Sequence, residues 1–227
     1  MREPDVRITA YAALAVALLF APGVVLQVLH PSPPPRPAEE FVAFVVTHRT
    51  EMLVGSTLSA LGWGGVLIVF AGGLFSILRH AEGAPGIWSA IAFGGCVATA
   101  TTILVVIALL ETLVHLMPAL DESSLLLLYD GSLIANLMTA FPNAVYAVAT
   151  GIVVWKTAVM PRWVAYGAFA VAAVHLGSSM SLARGGPFSP LGVLPMIAPL
   201  THFAWLIGIA VALLRAESTR AGSAVSA

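Results

Sequence analysis

Glu111 and His115 lie four residues apart in the apolar run ILVVIALLETLVHLMP, so on a helix their side chains share one face. A carboxyl and an imidazole one turn apart can share a proton, with burial deciding which of them holds it. That is the smallest apparatus for general acid–base catalysis, with Glu111 as the acid and His115 as its partner. His175 and His202 add two imidazoles within the apolar stretches VAYGAFAVAAVHLGSS and PLTHFAWLIG. Either could join Glu111 and His115 as a metal ligand, but the chain has no HExxH-type pair and a single cysteine, Cys96. No metal and no cofactor are therefore expected. A plainer reading stands beside the catalytic one. Glu111 and His115 would bond each other near the helix stop at Pro118, and each lone histidine would bridge two helices.

The second pattern is a line rather than a pair. Tyr129, Ser132, Asn136, Thr139, Asn143, Tyr146 and Thr150 recur at spacings of three and four. At ~100° per residue they fall within roughly 100° of one another on a helix. Asp130 points elsewhere, and Pro142 beside Asn143 would free a backbone carbonyl one turn back. Such a line either bridges helices or lines a cavity. Two asparagines and two tyrosines exceed what bridging requires, so a cavity wall is expected, with Asn136, Thr139, Asn143, Tyr146, His175 and His202 as its substrate-binding groups.

The elements that must hold these groups follow from composition. Of 227 residues, 59% are hydrophobic and 9% charged, with formal net charge −1 and mean hydropathy +0.96. Soluble domains carry about 25% charged residues, so this is the composition of a polytopic membrane protein, with membrane lipids as neighbours and no nucleic acid as partner. The expected fold is an all-α bundle of six transmembrane helices with a short interfacial helix. The spans run from Ile8 to Leu29, about Met52 to Leu78, Ile87 to Met117, Gly131 to Trp155, Trp163 to Ala183 and Val193 to Leu214. His30 to Pro37 reads as a stiff proline-rich linker, AEEFVAFVVTHR as the interfacial helix, and Ser123 to Asp130 as an interfacial lead into the fourth crossing. Residues 1–216 form one domain, and 217–227 a disordered tail. Six crossings put both termini on one side, with Arg2, Arg7, Arg79, Lys156, Arg162, Arg215 and Arg220; Arg36, Arg49 and Arg184 fall on the other. That bias predicts cytoplasmic termini and a multi-pass protein of the bacterial inner membrane. Glu111, His115 and His175 then gather in the extracytoplasmic half. Small residues from Gly55 to Gly73 make the second span the central one.

Several classes are excluded. The only lysine, Lys156, lies at a helix end, so no retinal Schiff base can form. Gly55-Ser56-Thr57-Leu58-Ser59 has the look of a rhomboid serine motif without its partner histidine. Glu39-Glu40 lacks the downstream residues of intramembrane prenyl-protein proteases.

The stretches FVVTHRTEMLVGSTLSALGWGGVLIVFAGGLFSILRH and VVWKTAVMPRWVAYGAFAVAAVHL resemble a broad set of uncharacterised six-helix bacterial integral membrane proteins. These share a proline- or acid-rich first outer loop, an interfacial helix and a PRW-like cytoplasmic turn before the fifth span. The resemblance implies the fold and no reaction. A looser similarity, in size and in acidic groups within helices, is to membrane-bound terpene cyclases and sterol isomerases. The 8% aromatic content is low for a pocket that stabilises carbocations.

Three functions remain open at the level of sequence. One is an acid–base enzyme of isomerase or cyclase type, acting on a lipid-like or isoprenoid substrate in the outer half. Another is a small-molecule transporter or channel along the polar line, although the two halves of the chain show no repeat. The last is an accessory subunit with no chemistry of its own.

Overall fold

The computed structural model describes residues 3–30, 33, 36–181, 186, 188–189 and 192–225. The described residues are helical and turn structure, with no strand among them. In chain order the helices are α1 (Glu3–Leu29), α2 (Ala38–Thr47), α3 (Arg49–Ser59), α4 (Leu67–Glu82), α5 (Ile87–Leu116), α6 (Glu122–Met138), α7 (Ala140–Thr157), α8 (Arg162–Ser179) and α9 (Val193–Val225). A π-helical stretch, Ala60–Val66, joins α3 to α4, and a 3-10 turn, Met117–Ala119, ends α5 at Pro118.

Among the described residues, five helical stretches are long and apolar enough to cross a membrane: Val6–Gly23, Arg49–Glu82, Ile87–Leu116, Glu122–Thr157 and Val193–Ser218. The fifth of the six expected spans, Trp163 to Ala183, falls short of that description. As α8 it runs for 18 residues, about 27 Å at ~1.5 Å per residue, and it opens on Arg162 and contains His175. It nevertheless packs along one side against α7 and α9. The second and fourth stretches overrun their expected ends because the lead-in residues are helical too. At the C-terminus α9 continues to Val225 through what reads as a disordered tail from 217. Ala216, Glu217 and Arg220 favour a helix, and Glu217 is held from outside the segment by its pair with Arg7 of α1 at 2.5 Å. Much of the proline-rich linker and of the loop before α9, including Arg184, lies outside the described residues.

The Arg7–Glu217 pair places the start of α1 and the end of α9 on one face of the bundle. Lys156, at the end of α7, sits 5.8 Å over the Trp88 ring at the start of α5, and Arg162 sits 5.6 Å from Trp155, on the same face. There too the Glu82 carboxylate accepts from the backbone N–H groups of Trp88 (3.0 Å) and Ser89 (2.8 Å), so the end of α4 caps α5. The opposite face holds a small apolar core in which Phe41 and Val45 of α2 meet Leu113, Val114 and Met117 beyond α5, and Leu125 and Tyr129 of α6.

Two local features shape the interior. The π stretch is built on Gly62, Gly64 and Gly65, which lack the side chains that would crowd its wider turn. It turns Trp63 into the core, where 4% of its surface remains exposed. The second is the break at Thr139 between α6 and α7. Pro142 has no N–H to give Met138 O, and at the same joint the Thr139 N–H bonds Asn136 O, three residues back, at 3.1 Å.

The outer surface is apolar. Leu18, Val69, Val105, Leu127, Ile134, Tyr166 and Met196 are among more than thirty large hydrophobic side chains left exposed. A monomer in water does not present so continuous an apolar skin.

Candidate functional site

The deepest polar cluster joins three helices. Tyr146 comes from α7, His175 from α8 and His202 from α9. The Tyr146 hydroxyl lies 2.7 Å from His202 Nε2, and His202 Nδ1 lies 3.2 Å from His175 Nε2. Tyr146 and His202 have no exposed surface and His175 has 5%. Each arrives by helical spacing. Tyr146 stands one turn beyond Asn143 on the inward side of α7, and His202 stands three residues before Trp205 on the inward side of α9.

Aromatic rings enclose His202. Trp63 lies 5.1 Å from it, edge to face at 65°, Tyr146 5.4 Å and Trp205 6.0 Å. Trp205 is itself anchored, since its indole Nε1–H donates to Val164 O of α8 at 2.9 Å. Phe203, 5.3 Å from Trp63, and Phe20 close the wall towards α1. In such surroundings a polar atom without a partner is costly, so the three-residue chain satisfies itself.

The chemistry follows from donor counting. A neutral imidazole has one N–H and one lone pair. In one arrangement the Tyr146 O–H donates to His202 Nε2, and His202 Nδ1–H donates to His175 Nε2. In the other, His175 Nε2–H donates to His202 Nδ1, and His202 Nε2–H donates to the Tyr146 oxygen. Shifting both protons along the line converts the first arrangement into the second once the Tyr146 oxygen takes up a proton and His175 Nδ1 releases one, so the chain can relay a proton from one end to the other without moving a helix.

The polar line of α6 and α7 is mostly inside. Ser132, Thr139, Asn143, Tyr146 and Thr150 are buried, as is Tyr129, whose ring meets Phe41 at 5.1 Å. Asn136 is exposed. Ser132 bonds Tyr129 O at 2.7 Å, and Thr139 bonds Asn136 O at 2.6 Å, each on its own helix. Asn143 Oδ1 accepts from Thr99 of α5 at 3.3 Å. Two buried hydroxyls, Thr150 Oγ1 and Ser181 Oγ, have no partner among the described residues.

Glu111 and His115 are placed apart from this centre. Glu111 turns to α3, where its Oε1 accepts from Ser56 at 2.8 Å, rather than to His115. His115 is exposed and lines a cleft of about 200 Å³ with Val45, Val46, Arg49, Val114 and Met117. Of the eight residues singled out in the sequence, the fold therefore joins Tyr146, His175 and His202 directly and sets Asn143 one turn away. It holds Thr139 at the helix break and leaves Glu111, His115 and Asn136 elsewhere. Sequence reasoning did not place Trp63 at the site. Its trace in the sequence is a lone tryptophan within the glycine-rich run Gly62-Trp63-Gly64-Gly65.

Compared with protein-family models, curated proteins and solved structures, the chain matches none.

Proposed function

We propose that this is a multi-pass integral membrane protein of the bacterial inner membrane, crossing six times with both termini in the cytoplasm, and that Tyr146, His202 and His175 form its proton-transferring centre. The exposed apolar skin and the five membrane-length stretches support the first part. The basic residues grouped on the face of the termini support the orientation. The observation that carries the second part is the unbroken contact from the Tyr146 hydroxyl through both histidines within an aromatic shell. Histidine chains at membrane depth move protons in enzymes and in transporters.

The enzymatic reading is acid–base chemistry on a lipid-like or isoprenoid substrate, of isomerase or cyclase type, entering from the lipid. Relative to the sequence alone, the acid–base role passes from Glu111 and His115 to Tyr146, His202 and His175. Glu111 is then the polar tie between α5 and α3.

The test is to express the protein and its His202→Phe variant in a bacterial inner membrane and profile extracted lipids without a target list. A lipid species changed by the wild type and restored by the variant supports an enzyme. The second reading, a proton-coupled transporter, is favoured by the chain's position across three helices. Reconstituted vesicles with a trapped pH dye would then show His202-dependent proton flux with no lipid change. If the variant matches wild type in both assays, the centre is structural.

A further inference from the structure

On the face opposite the termini, His30, His48 and Glu51 bring three potential ligand atoms within 4.8 Å of one another. We propose that these three side chains bind a divalent transition-metal ion, with zinc the fitting choice.

The residues come from two pieces of chain. His30 follows the last turn of α1, and the proline-rich linker separates it from His48, at the joint of α2 and α3. Glu51 stands in the first turn of α3. His48 is the fixed point. Its N–H bonds Phe44 O at 3.0 Å and its carbonyl accepts from the Met52 N–H at 3.0 Å, while its ring packs 4.8 Å from Phe44. Glu51 lies three residues on, and its Oε2 is 2.7 Å from His48 Nδ1. The His30 ring lies over His48, with centroids 4.5 Å apart.

Two imidazole nitrogens and one carboxylate oxygen are a borderline donor set of the kind zinc takes, with a fourth position left for water. At metal–ligand lengths of about 2.0–2.1 Å, tetrahedral ligand atoms sit about 3.4 Å apart. The widest pair, at most 4.8 Å apart, closes to that spacing by side-chain rotation of the exposed His30 and Glu51. The ion would replace the proton now shared by His48 and Glu51 and tie the end of α1 to the joint of α2 and α3. The site is separate from the buried centre, and its occupancy does not depend on that centre's chemistry. In the sequence His48 and Glu51 stand three residues apart, but no pattern joins His30 to them across the linker and α2.

The test uses the full chain without a histidine tag, stripped with chelator and titrated with zinc chloride by calorimetry. One ion per chain is expected. His30→Ala, His48→Ala and Glu51→Gln should each weaken binding at least tenfold, whereas His80→Ala and His115→Ala should not. Helix content by circular dichroism identifies any variant that has lost its fold, and tetrahedral cobalt absorption from the wild type provides a reading independent of substitution. Zinc binding that persists in the triple variant, or wild-type chain that takes up neither zinc nor cobalt, overturns the proposal.

Discussion

At the scale of single residues, the site rests on a few hydrogen bonds whose partners come from different helices. Tyr146→Phe removes one hydroxyl from a sealed environment and leaves His202 Nε2 without its partner. The expected cost is about 1 kcal/mol, within the range of interhelical hydrogen bonds in membranes, checked by reversible unfolding in mixed micelles. Trp205→Phe should cost a similar ~1 kcal/mol, because Val164 O loses its indole donor. Asp121 supplies a pH signature outside the apolar stretches. Its carboxylate accepts from Ser124 and Ser123 ahead of α6, and those bonds hold its carboxyl below the ordinary carboxylate value. Because the folded value is the lower one, the stabilisation is present above the unfolded value and lost as pH falls through the folded one. Asp121→Ala should therefore lower the melting temperature near pH 7, and the gap to wild type should close in strong acid. The residue types of this site were legible in the sequence, since Tyr146, His175 and His202 are rare polar groups in apolar runs. Their union was not, because nothing local says that α7, α8 and α9 meet at one depth.

At the scale of elements, close backbone approach sets the position of Tyr146. A methyl group on Gly95 of α5 would stand 2.9 Å from both the backbone nitrogen and the Cβ of Tyr146. Gly95→Ala should thus part α5 from α7 at a cost of about 1–3 kcal/mol. Gly94→Ala, whose added methyl meets nothing within 4 Å, should leave stability near wild type in the same melting experiment. The helices themselves were readable. The stop at Pro118, the short α2 and the polar line on α6 and α7 all follow from periodicity and proline. The π stretch was not, because seven residues rich in glycine fit an α-helix equally well by pattern. Glu111 and His115 show the converse limit. Their spacing puts them on one face of α5, and only the packing of α3 against that face turns Glu111 to Ser56.

At the scale of the molecule, the pairing of Arg7 with Glu217 requires the ends of α1 and α9 to meet on one face. Together with the distribution of basic residues, this predicts the outcome of cysteine labelling in intact cells. Cys96 is buried, so the native background should be low. A cysteine at Glu39 should react with an impermeant maleimide from outside, and one at Ala216 only after lysis. Labelling of both from outside would break the six-crossing topology. Composition and hydropathy foretell an all-helical chain with membrane-length stretches. They overstate α8, whose arginine and histidine lower its mean hydropathy; it packs one side against α7 and α9 and leaves Trp163, Tyr166, Phe169 and Leu176 exposed on the other.

The central claim is that Tyr146, His202 and His175 share protons along one hydrogen-bonded line. Nitrogen NMR of histidine-labelled protein in lipid bilayers reads that line directly. The prediction is that His202 shows one protonated and one hydrogen-bonded bare nitrogen, and that Tyr146→Phe shifts His202 Nε2 and, through it, His175. If Tyr146→Phe leaves the His202 and His175 signals where they were, no such line exists and the account fails.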